Sequence, residues 1–147
     1  MFRFTLRPRR RAAFANIAEG THHGHITKMS DGAITTRFLF AKRGSDDDHV
    51  TPCTAASDIP IGVLTDEAAA AGDYVDVALF GSADETRKIT LGGTVAQGDF
   101  LVTDTTGKAQ KLPVTSGTYY IVGRALLPGV SGDVIEFDPI PAVQRIV

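Results

Sequence analysis

A chain of 147 residues, 43% hydrophobic and 22% charged, fits one ordinary domain and can bury a self-sufficient core. No apolar run approaches the ~20 residues that cross a bilayer, and no stretch of roughly 7–15 apolar residues follows the basic start, so a membrane span and a secretory leader are not expected. The single cysteine, Cys53, excludes an intrachain disulfide, which leaves cytoplasmic synthesis as the expectation.

Charge is unevenly placed. Residues 1–11 hold Arg3, Arg7, Arg9, Arg10 and Arg11 and no acid, whereas the rest of the chain holds ten Lys and Arg against seventeen Asp and Glu. A basic arm on an acidic body suits docking onto something acidic. Residues 1–25 form this arm, with Phe2, Phe4, Leu6 and Phe14 scattered among the arginines. The alanines between Arg9 and Glu19 favour a short helix. Too few large apolar residues recur at helical spacing to hold that helix on a core, so the arm is expected to order on a partner. Phe and Arg anchors supply most of the energy of many interfaces, which singles out Phe2, Arg3, Phe4, Arg7, Arg9, Arg10 and Arg11 as partner-binding residues.

From Ile26 the pattern is β. Ile26–Met29 and Ala33–Phe40 flank Ser30-Asp31-Gly32 and read as a hairpin, since Asp-Gly is a strong short-turn signal. Gly44–His49 is a polar loop, and Pro52 places the strand from Val50 to Thr54 at an edge or a bulge. A phrase then occurs twice: Ile61-Gly62-Val63-Leu64 leads to Gly72-Asp73-Tyr74-Val75-Asp76-Val77, and Val122-Gly123-Arg124-Ala125 leads to Gly132-Asp133-Val134-Ile135-Glu136-Phe137. A third Gly-Asp opening stands at Gly98-Asp99-Phe100. Glycine accepts positive φ and aspartate bonds nearby amides, so Gly-Asp suits a tight turn into a strand.

Tyr74–Phe80 alternates, Thr86–Leu91 runs back, Phe100–Thr103 and Ala109–Leu112 flank a turn ending near Gly107, and Tyr119–Leu127 and Val134–Phe137 complete the set. Strands at roughly ten-residue spacing predict an all-β fold, a compact barrel or sandwich of short antiparallel strands. The domain spans residues 26–138. Residues 139–147, with Pro139 and Pro141, form an extended tail along the surface or onto a neighbour.

Reactive constellations are weak. His22-His23-Gly24-His25 offers imidazoles, but a structural zinc site needs four ligands and the cysteine is remote, so a polar hinge is expected. Asp46-Asp47-Asp48 lacks the alternating ligands, central glycine and closing Glu of a calcium loop. Cys53 and His49, four apart, suggest a thiol and base without an oxyanion motif or an orienting third residue, and a core cysteine is expected. Leu91-Gly92-Gly93-Thr94 lacks the lysine and helix of a phosphate loop. Asp73 and Asp133 occupy matching turn positions, which points to a turn role. Direct nucleic-acid binding would rest on the arm alone and be opposed by the acidic body. No catalytic, cofactor or metal residue is assigned.

From about Thr36 to Phe137 the sequence resembles small phage capsid decoration, or cement, proteins. The matching stretches are Phe38-Leu39-Phe40 leading to Gly44-Ser45-Asp46-Asp47, Ile59-Pro60-Ile61-Gly62-Val63-Leu64, Gly72-Asp73-Tyr74-Val75-Asp76-Val77, Val95-Ala96-Gln97-Gly98-Asp99-Phe100-Leu101, Asp104-Thr105-Thr106-Gly107-Lys108-Ala109 and Tyr120-Ile121-Val122-Gly123-Arg124-Ala125-Leu126. The resemblance implies a non-enzymatic β-domain on the outside of an assembled shell. There it would bridge major capsid protein subunits as a homo-oligomer, a trimer being favoured, with no cofactor. The long arm and the proline-containing tail depart from the simplest members. A carbohydrate- or receptor-binding β-module on a virion surface or tail is the alternative reading.

Overall fold

The computed structural model describes residues 23–82 and 85–147, and ten strands account for its regular structure. Strands β1 (His25–Ser30), β2 (Leu39–Arg43), β3 (His49–Pro52), β4 (Gly62–Leu64) and β5 (Tyr74–Leu79) close into a barrel of order β1-β3-β2-β4-β5. Strands β6 (Arg87–Thr90), β7 (Phe100–Thr103), β8 (Ala109–Lys111), β9 (Thr118–Ala125) and β10 (Val134–Ile146) form a second sheet of order β6-β10-β9-β7-β8. The all-β expectation holds, with a closed barrel and a second sheet.

Alternation along single strands feeds two cores. In β2, Leu39 and Ala41 join a cluster with Val50, Leu64, Val75 and Val77, while Phe40 between them joins the other cluster. In β4 the neighbours Val63 and Leu64 divide the same way. Successive strand residues point to opposite faces, so the first cluster fills the barrel and the second lies between barrel and sheet. This is why Phe38-Leu39-Phe40-Ala41 is continuously apolar: the strand is covered on both sides. Phe40, Phe80 and Phe137 meet edge to face at the junction, with centroids 6.0, 5.9 and 6.2 Å apart. The β7–β8 hairpin tip reaches the barrel, where the Phe40 amide donates to the Gly107 carbonyl.

Two pairings differ from the sequence expectation. β1 pairs with β5 antiparallel and with β3 parallel rather than folding back on the following segment. The segment after Gly32 instead makes an isolated bridge from Ile34 to Ala68 and then adopts positive φ (57°) at Phe38. Closing the barrel buries Val75 and Val77, a larger apolar return than a local hairpin offers. Likewise β6 pairs with β10, from Val134↔Thr90 to Phe137↔Arg87, and not with β5. The tail is extended as expected, and to Ile146 it continues β10 and pairs with β9.

The repeated phrase is one device in three copies. Gly72, Gly98 and Gly132 have φ of 87°, 84° and 93°. The following aspartates accept from the amide three residues back: Ala70 to Asp73 at 3.0 Å, Ala96 to Asp99 at 2.9 Å and Val130 to Asp133 at 2.9 Å.

Candidate functional site

The partner-binding residues named from the sequence, Phe2, Arg3, Phe4, Arg7, Arg9, Arg10 and Arg11, lie outside the described residues, as does His22. The described chain fixes where the arm leaves the body. The Gly24 carbonyl accepts from the Leu79 amide at 2.7 Å, and His25 stands opposite Ala78. Two residues beyond Leu79, a Cβ at Gly81 would lie 2.6 Å from the Pro141 ring. The described end of the arm therefore joins the body along β5.

The distal half of β10 carries several exposed apolar side chains. Val143 is 53% exposed and Ile146 72%, with Ile140 and Val147 also open to solvent. Among the described residues β6 covers one edge of β10 only from Val134 to Phe137, and β9 covers the other. Sequence reading treated residues 139–147 as an extended tail and so missed this surface.

Lys28 also escaped the sequence reading. It shares a β1 face with Ile26 and Ser30, and its ammonium is almost buried. It donates to the Asp47 carbonyl and stands 3.9 Å from the Asp48 carboxylate. The triple-aspartate loop is thus tied to the barrel wall. Asp46 pairs with His49 Nδ1 at 2.6 Å and accepts from the Asp48 amide at 2.9 Å. The hydrogen bond from His49, then that from the Asp48 amide, holds the Asp46 carboxyl below the usual range, and the same Asp46 contact raises His49. Beside this loop a cavity of about 470 Å³ opens, with Ile26, Lys28, Arg43, Ile61 and Leu79 among its walls.

Cys53 is fully buried in the core between barrel and sheet, and burial pushes its thiol up to about 12. A thiol held there is not a thiolate near neutral pH, which removes the nucleophile reading. His49 is instead committed to Asp46, and His25 Nδ1 pairs with Asp76 at 2.6 Å. Asp76 also accepts from Thr65 Oγ1 at 2.7 Å. Among the described residues no group of three or more His, Cys, Asp or Glu is placed to hold a metal ion.

Asp58 closes a polar cluster at the barrel rim. Burial opposes its ionisation, but the Lys42 ammonium at 2.8 Å and the Thr54 and Ala55 amides outweigh burial and hold its carboxyl below the usual range. Asp73, Asp99 and Asp133 are turn caps, as their matching positions suggested.

No protein-family model matches the chain, and no curated protein does. Among solved structures the chain is similar to the N base of head fiber gp8.5 of bacteriophage phi29, with a TM-score of 0.60 and 19% identity. The similarity covers 80% of this chain and 94% of that one, and at this identity it establishes a shared fold.

Proposed function

We propose that this chain is a structural, non-enzymatic protein of a phage virion that binds the outside of the assembled capsid and stabilises contacts between major capsid protein subunits. The observation that carries the proposal is the fold shared with a phage head fiber base over 80% of the chain. The sequence resemblance to capsid decoration proteins supports it independently. The basic arm is the attachment element. Arg3, Arg7, Arg9, Arg10 and Arg11 pair with acidic capsid loops, which guanidinium groups grip bidentately, and Phe2 and Phe4 add apolar anchors. Many identical lattice sites let modest contacts act together, and a homo-oligomer, a trimer being favoured, multiplies them further.

Cosedimentation of the purified protein with assembled major-capsid shells at low and moderate salt tests the proposal. Saturable binding at a fixed ratio per capsid subunit supports it, with a salt-sensitive component from the arginines because exposed charge pairs are screened. No binding at any salt overturns it and moves the assignment to a receptor- or carbohydrate-binding module.

A further inference from the structure

The second sheet repeats the barrel strand for strand. Followed from β1, the barrel runs β1-β5-β4-β2-β3, and the sheet runs β6-β10-β9-β7-β8, each strand five places later in the chain. The parallel pair Ser30↔Val50 that joins β1 to β3 has its counterpart in the parallel bridge Leu91↔Ala109. Single hydrogen bonds correspond as well. The Phe38 and Gly98 amides donate to the Leu64 and Ala125 carbonyls, both at 2.8 Å. The Cys53 and Leu112 amides donate to the Phe40 and Phe100 carbonyls at 2.8 and 2.9 Å.

The two units meet head to tail. Phe40, Cys53 and Val63 on the outside of the first are buried among Ile89, Ala109 and Val122 of the second, with Phe80 packed beside them. Strand register gives each side a counterpart in the other unit. The inserted residues Phe40, Cys53 and Phe80 correspond to Phe100, Leu112 and Ile140, and the receiving residues Ile89, Ala109 and Val122 to Lys28, Val50 and Ile61. Phe40 is 0% exposed, but Phe100 is 38% and Ile140 37% exposed. Lys28, Val50 and Ile61 line the cavity of about 470 Å³. The chain thus presents a second inserting face at one end and a second receiving cavity at the other.

We propose that copies of this chain associate head to tail, the Phe100 face of one entering the Lys28–Ile61 cavity of the next, so that the contact between units within a chain recurs between chains. The chemistry of both surfaces has changed in step. In the cavity, Lys28 and Arg43 stand where the second unit has Ile89 and Thr103. On the inserting face, Arg124 and Asp138 stand where the first unit has Val63 and Ala78. Asp138 brings a carboxylate to Arg43, and Arg124 brings a guanidinium to Asp46 and Asp47 of the cavity wall. Charge at this junction alone keeps it distinct from the apolar junction inside the chain. A head-to-tail contact closes into a ring when its rotation permits. The proposal rests on the homo-oligomer reading, to which it assigns the contacting surfaces.

Sedimentation velocity of the purified full chain, without capsid and up to about 100 μM, tests it. The full chain should sediment as a discrete oligomer. Phe100→Glu spoils the inserting face and Ile61→Glu the cavity, and each should weaken association about a hundredfold and leave monomer. Arg43 is exposed, so Arg43→Glu serves as the cavity variant if circular dichroism shows that Ile61→Glu does not fold. An equimolar mixture of the Phe100 variant and the cavity variant should form a one-to-one dimer, because each supplies the surface the other has lost. A two-fold contact, which uses the same patch on both copies, gives no such rescue. A monomeric full chain overturns both this proposal and the homo-oligomer reading. Oligomers that survive the substitutions, or a mixture that stays monomeric, overturn this proposal alone. Capsid cosedimentation takes no part in the readout, so capsid attachment stands or falls separately.

Discussion

A Cβ on Gly123 would stand 2.2 Å from the Asp138 carbonyl oxygen on the neighbouring strand, and Gly62, its counterpart in the repeated phrase, meets the same obstruction 2.4 Å from the Ala78 carbonyl oxygen. Both obstructing atoms belong to backbone fixed by sheet pairing, β9 on β10 and β4 on β5. The two halves of the chain thus bring a strand equally close to its partner at the same point of the phrase.

Gly62→Ala and Gly123→Ala should each cost about 2–4 kcal/mol, because a carbonyl in a strand ladder cannot yield without loss of register. Urea unfolding monitored by circular dichroism measures this. A cost below about 0.5 kcal/mol would show that the backbones can separate without penalty.

The three turn aspartates should behave alike. Asp73→Ala, Asp99→Ala and Asp133→Ala each remove one acceptor for an amide three residues back, at about 1 kcal/mol apiece. Asp73 lies in the barrel, so its loss should add to that of either other aspartate, whereas Asp99 and Asp133 cap the amides that follow the bridged pair Val95 and Gly129, so their losses should be coupled. Strict additivity of Asp99→Ala and Asp133→Ala in thermal unfolding would contradict that coupling.

The Asp46–His49 pair predicts a pH window for the loop joining β2 and β3. His49 is raised, so its contribution is complete below the ordinary histidine value of about 6.5 and fades as pH rises through the higher folded value. Asp46 is lowered, so its contribution is complete above 3.8 and fades as pH falls through the lower folded value. The loop is held most firmly between those limits. Titration of His49 by NMR should give a midpoint above 6.5, and Asp46→Asn should bring it back towards that value.

Cys53 should resist thiol reagents near neutral pH as long as the protein is folded, with labelling appearing only as denaturant opens the core. Rapid stoichiometric labelling of the native protein would contradict its burial.

Deleting Met1 to Arg11 should leave the body folded, because the closed barrel and the second sheet are built from residues beyond the arm. Capsid attachment should be abolished or greatly weakened. Far-UV circular dichroism and cosedimentation check the two halves of this expectation, and full-strength attachment by the truncated protein would remove the arm from the attachment surface.

The sequence determined the local features: positive φ at Gly72, Gly98 and Gly132, the aspartate caps that follow, and the existence of nearly every strand. Each depends on residues a few positions apart, where glycine sterics and short-range hydrogen bonds act alone. It also marked the arm by composition and left Cys53 as a core residue. Tertiary structure decided which strands meet. Alternation gives a strand two faces but does not name its neighbour, so nothing local told β1 to pair with β3 and β5, or β6 with β10. Those choices follow from burying Val75, Val77, Ile89 and Phe137 against residues distant in sequence.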